Sequence, residues 1–195
     1  MDAYLQLQQY LRPGERLLWS GRPDPTVWLT AADMFMIPFS ILWGGFAIFW
    51  EIGVSSGGPN FGTIWGIPFV ALGLYMIFGR FFYKKYRKKR TCYGITDQRA
   101  LVAIGPGQLS DSPLRDQPIT VRRSRDGRHV TVTIGSAVAG PRRARSSYAA
   151  GSFYANTGLE LLARNVTLPM AFYDVEDADA MLSAMDQVRG AQPAR

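Results

Sequence analysis

The sequence has very few of the residues that build disulfides, metal centres and catalytic triads. It contains one cysteine, Cys92, and one histidine, His129, among 195 residues. A disulfide within the chain and a metal site of three histidines are therefore excluded, and a cysteine-based zinc site is not expected. The motifs typical of serine hydrolases, zinc proteases, phosphate-binding loops and dinucleotide-binding folds are absent from the sequence. We therefore expect no enzyme, no cofactor and no metal.

Lysine is scarce outside one short segment. The chain carries 22 Lys and Arg against 15 Asp and Glu, which gives a formal net charge of +7. Residues 80–90 hold seven cations and no acid, and they include every lysine of the protein. This segment accounts for the whole excess. A positive charge is typical of proteins that bind nucleic acid or an anionic membrane, and its position helps to decide between them.

Charged residues are missing from two long stretches that precede the basic segment. Residues 34–50 and 52–79 contain no Asp, Glu, Lys or Arg. Because about 20 helical residues cross the core of a bilayer, we predict transmembrane helices at about 28–50 and 61–83, joined by a short external loop at 51–60. The alternative is two buried core helices of a soluble protein, but so short a chain has too little other surface to cover both on all sides.

The distribution of cations predicts the orientation of this helical hairpin. The loop between the two helices has no Lys or Arg, whereas both outer flanks have them. By the positive-inside rule, both termini are then cytoplasmic. Residues 1–27 show no cleavable export signal, so we interpret them as a cytoplasmic N-terminal segment and the first helix as a signal anchor.

Small residues recur at a spacing of four in both predicted helices. Ser40 and Gly44 lie one turn apart in the first helix, and Gly62 and Gly66 lie one turn apart in the second. This spacing allows two helix backbones to approach closely. It favours packing of the hairpin within one chain, with dimerisation as the alternative.

Residues 91–190 predict a mainly β cytoplasmic domain, followed by a tail at 191–195. Short apolar stretches alternate with turn residues along its first half. The pair Asp126-Gly127 is typical of a type I′ hairpin turn, because both central positions of that turn need a positive φ angle. The alternating residues of 130–134 supply the second strand of this hairpin.

The second half of this domain predicts a connection, a strand and helices. Residues 135–152 are rich in Arg, Ser, Ala and Gly and predict a long irregular connection. The capping-box spacing of Thr157–Glu160 predicts a short helix over 159–164. A last strand is expected near 170–173, before a C-terminal helix with one apolar face.

Two motifs resemble those of a known family. Residues 11–23 read Leu-Arg-Pro-Gly-Glu-Arg-Leu-Leu-Trp-Ser-Gly-Arg-Pro, which resembles the L-x-P-G-E-x-x-x-W-x-G-x-P opening of bacterial membrane proteins with pleckstrin-homology-like (PH-like) domains. Residues 93–99 read Tyr-Gly-Ile-Thr-Asp-Gln-Arg and resemble the Y-x-I-T-D-x-R strand of the same family. The resemblance implies two spans, a basic stretch, and a strongly bent antiparallel sheet or barrel closed by a C-terminal helix. It places Asp97 in the first hairpin turn and Arg99 at the start of the second strand.

Two groups of basic residues are the candidate binding residues. The first group forms the end of the second span and the juxtamembrane linker at 84–90, where each cation near an anionic leaflet contributes on the order of 1 kcal/mol to binding. We predict that this group sets the topology and engages lipid headgroups. The second group flanks the predicted turn and is either a solvated basic surface or an anion-binding face. The first group is Arg80, Lys84, Lys85, Arg87, Lys88, Lys89 and Arg90, and the second is Arg122, Arg123, Arg125 and Arg128.

The two rare side chains are expected to be structural. His129 stands at the start of a predicted strand, which predicts a surface position or one beside the hairpin turn. Cys92 follows the basic segment at another strand start, where we expect a packing role.

These observations favour a non-enzymatic, multi-pass protein of the bacterial cytoplasmic membrane. We expect its PH-like domain to act as a binding or scaffold module at an anionic inner leaflet, with an unidentified protein or a second copy as a further partner. Nucleic acid is not an expected partner, because the basic run is tethered at the bilayer. The alternative is an accessory or regulatory subunit of a larger membrane complex. An enzyme is less favoured, because it would need a pocket with converging polar groups.

Overall fold

The structure is a computed structural model, and it divides the chain into two compact units. The residues that it describes are 2–30, 32–58, 60–124, 127–135, 151–162 and 168–190. We name the two units by their contents. The β unit comprises Met1–Val27, Lys85–Ser152 and Asn165–Arg195, and the helical unit comprises Trp28–Lys84 and Phe153–Arg164.

The described elements alternate between these units along the chain. The first four helices, one strand and a π-helical turn come before the larger group of strands. In chain order the elements are α1 (Ala3–Gln8), β1 (Leu17–Gly21), α2 (Asp33–Ser55), α3 (Phe61–Leu74), a π-helical turn (Tyr75–Gly79), α4 (Arg80–Arg90), β2 (Thr91–Thr96), β3 (Arg99–Ile104), β4 (Gln108–Pro113), β5 (Ile119–Arg123), β6 (Val130–Ile134), β7 (Met170–Val175) and α5 (Ala178–Gly190).

The β unit contains two antiparallel sheets and the C-terminal helix. One sheet has the strand order β1-β2-β3-β4, and the other has the order β5-β6-β7. A single apolar cluster includes side chains from both sheets and from α5. At its centre the ring of Phe172 stacks on Tyr93 and Trp19, with centroids 4.7 and 6.0 Å away. The aromatic residue of the first motif, Trp19, therefore helps to join the two sheets.

Residues 1–27, expected to form a segment apart from the domain at 91–190, contribute two elements to the β unit. β1 pairs antiparallel with β2, and Trp19 lies opposite Ile95. Leu7 of α1 is fully buried in a second apolar cluster on the same sheet. The hairpin of α2 and α3 is therefore an insertion between two neighbouring strands of one sheet.

The hairpin predicted around Asp126-Gly127 joins β5 to β6. The two strands pair antiparallel, with Ile119 opposite Ile134 and Arg123 opposite Val130. The apolar positions of β6 are buried and its threonines are half-buried, as the alternating pattern predicts. Gly127 adopts a φ of +70°, whereas Arg125 and Asp126 lie outside the described residues.

The predicted helix over 159–164 is not a helix in its described part. Residues 155–158 and 160–162 form turns, and a helical turn at 151–154 comes before them. The Thr157 hydroxyl donates to the carbonyl of Tyr154 and accepts from the Leu159 amide. The Thr157 side chain therefore stabilises the turn formed by residues 154–157. It does not form the capping box that the sequence predicted. The predicted connection at 135–152 lies largely outside the described residues.

The helical unit contains the first long apolar helix and the apolar part of the second, whose last residues belong to the β unit. α2 has 23 residues, and the continuous run Phe61–Arg90 has 30 residues. Both are long and apolar enough to cross a membrane, by length and composition. Large apolar side chains on their outer faces, such as Leu42 and Phe49, are about three-quarters exposed. Such faces are unlike those of a helix buried in a soluble core.

The first helix begins and ends about five residues later than predicted. The Asp33 carboxylate accepts hydrogen bonds from the amide and the hydroxyl of Thr30, which holds the preceding residues in a turn and starts the helix at Asp33. At the other end, Glu51 lies inside α2, although it was expected in the loop. Its carboxylate lies where any side chain on Gly66 would overlap it.

Of the predicted small residues, Gly44 lies at the close crossing of the two helices, and its partner there is Gly73. Gly62 and Gly66 lie against the side chains of Val54 and Glu51 instead of facing Ser40 and Gly44. Ser40, Gly44, Gly66 and Gly73 are all buried. A Cβ atom on Gly73 would lie 2.8 Å from the Cα atom of Gly44. Because real Cβ atoms do not approach backbone so closely, the two helices depend on glycine at this crossing.

We expect Gly73→Ala to destabilise the hairpin by about 1–3 kcal/mol, because the added methyl group forces two backbones apart. The matched control is Gly45→Ala, since a Cβ there meets no atom within 4 Å and alanine favours a helix over glycine by up to about 1 kcal/mol. The measurement is reversible unfolding of the full chain in micelles or bilayers. Equal effects of the two variants would contradict the close crossing.

Candidate functional site

The basic helix α4 presents two different sets of cations. Arg80, Lys84 and Lys88 follow one another at intervals of four residues, so they lie on one helix face. This face is buried, with exposed fractions of 1%, 4% and 5%. The remaining cations of the segment are exposed or, for Arg87, half-buried: Lys85, Arg87, Lys89 and Arg90.

Arg80 forms a buried ion pair within the helical unit. Its Nη1 atom donates to the carboxylate of Asp33, which is itself only 2% exposed. Its Nε atom donates to the carbonyl of Met76 at 2.9 Å, and its guanidinium lies over the ring of Phe81. Two buried charges of opposite sign neutralise each other here, although the Nη2 atom of Arg80 has no hydrogen-bond partner among the described residues. Removing either charge leaves the other uncompensated.

Lys88 is fully occupied by acceptors of the β unit. Its Nζ atom donates to the carbonyls of Asp24 and Val27, each at 2.9 Å, and to the Asp174 carboxylate at 2.6 Å. An ammonium group has three donors, so all of them are used. Lys84 makes a similar contact in the helical unit, where its Nζ donates to the Trp28 carbonyl at 2.8 Å. The two buried lysines therefore bind backbone carbonyls of the segment between β1 and α2.

This arrangement corrects part of the sequence prediction. Seven cations were expected to engage headgroups, but Arg80, Lys84 and Lys88 bind protein acceptors inside the fold. The signal was in the sequence, because a spacing of four places these three on one face. The exposed residues of α4 are Phe82, Lys85, Tyr86, Lys89 and Arg90. The Arg90 guanidinium lies over the Tyr86 ring, 4.5 Å from its centroid.

The second predicted group lies around the β5–β6 hairpin. Arg122 and Arg123 are exposed neighbours on β5, and Arg128 is exposed after the turn. Consecutive residues of a strand point to opposite faces of the sheet, so the side chains of the two neighbours do not share a face. Arg125 lies outside the described residues, and the anion-binding face stays a prediction.

His129 is beside the hairpin turn, but it is buried and not at the surface. Its Nε2 atom lies 2.9 Å from the Asp24 carboxylate and 3.7 Å from Glu176. Burial raises the pKa of Asp24, but hydrogen bonds from Thr26 and from His129 outweigh this effect and leave the pKa below its usual value. No local sequence signal pairs Asp24 with a residue 105 positions away.

These three side chains could also hold a divalent cation. One ligand atom from each of Asp24, His129 and Glu176 lies within 4.8 Å of the others. Asp24 and Glu176 also line a surface pocket of about 320 Å³ beside Trp19 and Arg22. The direct hydrogen bond between His129 and Asp24 accounts for both groups without an ion, because it satisfies the buried imidazole nitrogen and a carboxylate oxygen together.

The two motifs of the resemblance meet at a second buried ion pair. The Arg99 guanidinium donates to both carboxylate oxygens of Glu15, at 2.9 and 3.0 Å, and to Asp111 at 2.8 Å. The Thr96 hydroxyl donates to Glu15 at 2.7 Å. Hydrogen bonds from Arg99 and others outweigh burial and lower the pKa of Glu15 to about 2. The same contacts raise the pKa of Arg99.

This pair gives one residue of each motif, Glu15 and Arg99, a structural role in the β unit. Asp97 stands in the turn between β2 and β3, where its carboxylate accepts from the Arg16 amide at 3.2 Å, and Arg99 starts β3. Glu15 comes from the first motif, so each motif supplies partners for the other. Their joint role is to attach the N-terminal segment to the sheet.

Comparisons with known proteins add no family to these observations. No family model matches the chain, and no curated protein or solved structure matches it either.

Proposed function

We propose that this chain is an integral membrane protein whose helical hairpin crosses a bilayer twice and whose β unit serves as a non-enzymatic binding or scaffold module at an anionic leaflet. The observation that carries the proposal is the insertion of the hairpin between β1 and β2. The chain leaves the sheet after β1, forms two helices with apolar outer faces, and returns to the same sheet as β2. A bilayer is the solvent in which such apolar faces are stable.

The pairing of β1 with β2 bears on the topology independently of charge. β1 precedes the first long helix and β2 follows the second, yet the two strands are hydrogen-bonded neighbours. A chain that crosses a bilayer between them must cross it an even number of times. This supports a hairpin with both ends on one side.

The exposed cations of α4 support a cytoplasmic location for that side. Lys85, Lys89 and Arg90 directly follow the second apolar stretch, and the positive-inside rule assigns such flanks to the cytoplasm. Anionic headgroups of the inner leaflet are the ligands that suit these cations. We propose headgroup binding by this exposed surface alone, without the three buried cations.

The architecture of the β unit supports the PH-like assignment as a proposal. The resemblance implies a strongly bent antiparallel sheet or barrel closed by a C-terminal helix, and the β unit has two antiparallel sheets with a C-terminal helix packed on both. A module of this kind presents loops and sheet edges to a partner. We propose an unidentified protein or a second copy of the chain as that partner.

The orientation is tested by reporters fused after the C-terminal residue of the full chain. We expect activity from a reporter that works only in the cytoplasm, and none from one that works only outside it. Activity on the outer side would refute the proposed topology.

Headgroup binding is tested by a matched pair of double variants in nanodiscs that contain anionic and neutral lipids. We expect K89S/R90S to lose about 2 kcal/mol of preference for anionic lipid at low salt, and less at high salt, because each cation contributes about 1 kcal/mol and is screened. R122S/R123S removes the same charge from β5 and should retain the preference. Equal losses would indicate a dependence on net charge only.

A further inference from the structure

A segment between β6 and β7 belongs to the helical unit and packs on the hairpin. We name residues 153–162 the docking segment. Within it, Leu159 is 3% exposed and is buried against Met36 and Met76. The Tyr75 hydroxyl donates to the carbonyl of Gly158 at 2.6 Å. An apolar contact and a hydrogen bond thus hold this segment to both long helices.

The backbone of the docking segment lies directly on the second helix. Gly158 has a φ of +85°, and a Cβ on it would overlap the carbonyl oxygen of Arg80. Asn156 also has a positive φ, of 59°. Two unusual backbone conformations within three residues bring the chain against the helix, where a side chain at 158 would prevent the contact.

These contacts place the docking segment at one end of the hairpin. Met36 lies in the first turn of α2, and Arg80 pairs with Asp33 at the start of the same helix. This is the end at which both helices meet their charged flanks. In the proposed topology it is the cytoplasmic boundary of the bilayer.

The docking segment presents apolar side chains outward at this level. Leu161 and Leu162 are 44% and 53% exposed, and Phe153 is 39% exposed. Other large apolar groups of the helical unit lie near the same level, since the Trp28 carbonyl binds Lys84 within the turn that follows Arg80. The additional exposed residues are Trp28, Leu29 and Phe82.

The bilayer is the occupant that fits this surface. The exposed apolar groups of the docking segment belong to the same unit as the apolar outer faces of the hairpin, and the exposed cations Lys85, Lys89 and Arg90 follow Phe82 along α4. Aromatic and apolar side chains bordered by cations are typical of the boundary between acyl chains and headgroups.

We propose that the docking segment inserts into the headgroup–acyl boundary of the leaflet in which the hairpin ends, as a third membrane contact besides the two helices. This inference rests on the proposed function, because it needs the hairpin to span. It assigns to Leu161 and Leu162 a binding role toward lipid that the sequence did not suggest.

The test is a set of single-cysteine variants of the full chain, each labelled with an environment-sensitive fluorophore in vesicles. The variants are L161C and L162C, with L42C as the position within the span and S110C on exposed β4 as the position in water. Cys92 is buried, and the unsubstituted protein measures its background labelling. We expect labels at 161 and 162 to be blue-shifted relative to the label at 110 and quenched by shallow lipid quenchers.

The outcomes separate the two proposals. A deep label at 42 together with water-like labels at 161 and 162 would overturn the docking-segment inference and leave the spanning hairpin intact. A water-like label at 42 would overturn the spanning hairpin and the inference with it. A deep label at 42 with shallow labels at 161 and 162 supports both.

Discussion

Replacing Arg99 with alanine is expected to destabilise the β unit by about 3–5 kcal/mol, because it leaves the buried carboxylate of Glu15 without its partner. Arg99 is 6% exposed and Glu15 is 7% exposed, so water cannot replace the lost hydrogen bonds. The measurement is chemical unfolding of the full chain, followed by hydrogen exchange of the β2 and β3 amides.

Arg12→Ala is the matched control for this variant. Arg12 also faces Asp111, at 3.5 Å, but its side chain is 61% exposed. Pairs of this kind contribute about 0–1 kcal/mol, so we expect a small change. If both arginine variants destabilised the protein equally, the special role of the Arg99–Glu15 pair would be refuted.

The Arg99–Glu15 pair also predicts that the stability of the protein falls at acidic pH. The pKa of Glu15 falls from a usual value of 4.5 to about 2 in the fold. A depressed pKa contributes stability that is present above the unfolded pKa and is lost as the pH falls toward the folded pKa. The parent protein should therefore lose part of its stability between about pH 5 and pH 2, and Glu15→Gln should lose less over that range.

Arg80→Ala is expected to destabilise the helical unit by a similar amount, about 3–5 kcal/mol, because it leaves the buried carboxylate of Asp33 without its partner. Within a membrane an uncompensated charge is costlier still. The measurement is reversible unfolding in bilayers or micelles. Arg90→Ala is the matched control, since it removes the same side chain from an exposed position of the same helix and should change stability by less than about 0.5 kcal/mol.

A double variant separates pairing from simple loss of packing. Asp33→Asn combined with Arg80→Ala removes both charges, so it should be less destabilised than the sum of the two single variants. Additive effects would mean that the two side chains act independently, contrary to the ion pair seen in the structure.

The features that the sequence predicted well are those with a local signal. Two apolar runs produced two long helices, and the alternation of Val130, Val132 and Ile134 produced a strand with buried apolar positions. The turn at Asp97 and the start of β3 at Arg99 also followed from a short motif. Each of these depends on residues close together in the chain.

The features that it missed depend on distant partners. The place of β1 in a sheet requires β2, which comes after both long helices. The burial of His129 requires Asp24, 105 positions away, and that of Lys88 requires Asp174, 86 positions away. A run of basic residues looks uniform in a sequence, and only the fold divides it into cations that bind protein and cations that face solvent.

The insertion of the hairpin between β1 and β2 has a consequence for synthesis of the protein. β1 leaves the ribosome before either long helix, and its hydrogen-bonding partner follows both of them. In the proposed topology the first sheet can close only after the second helix has returned to the starting side. A chain in which only the first helix crosses would place β2 on the far side and retain an unpaired strand edge on β1, which is a ready template for aggregation or recognition. Closure of the sheet would thus distinguish a completed hairpin from a chain with a single crossing.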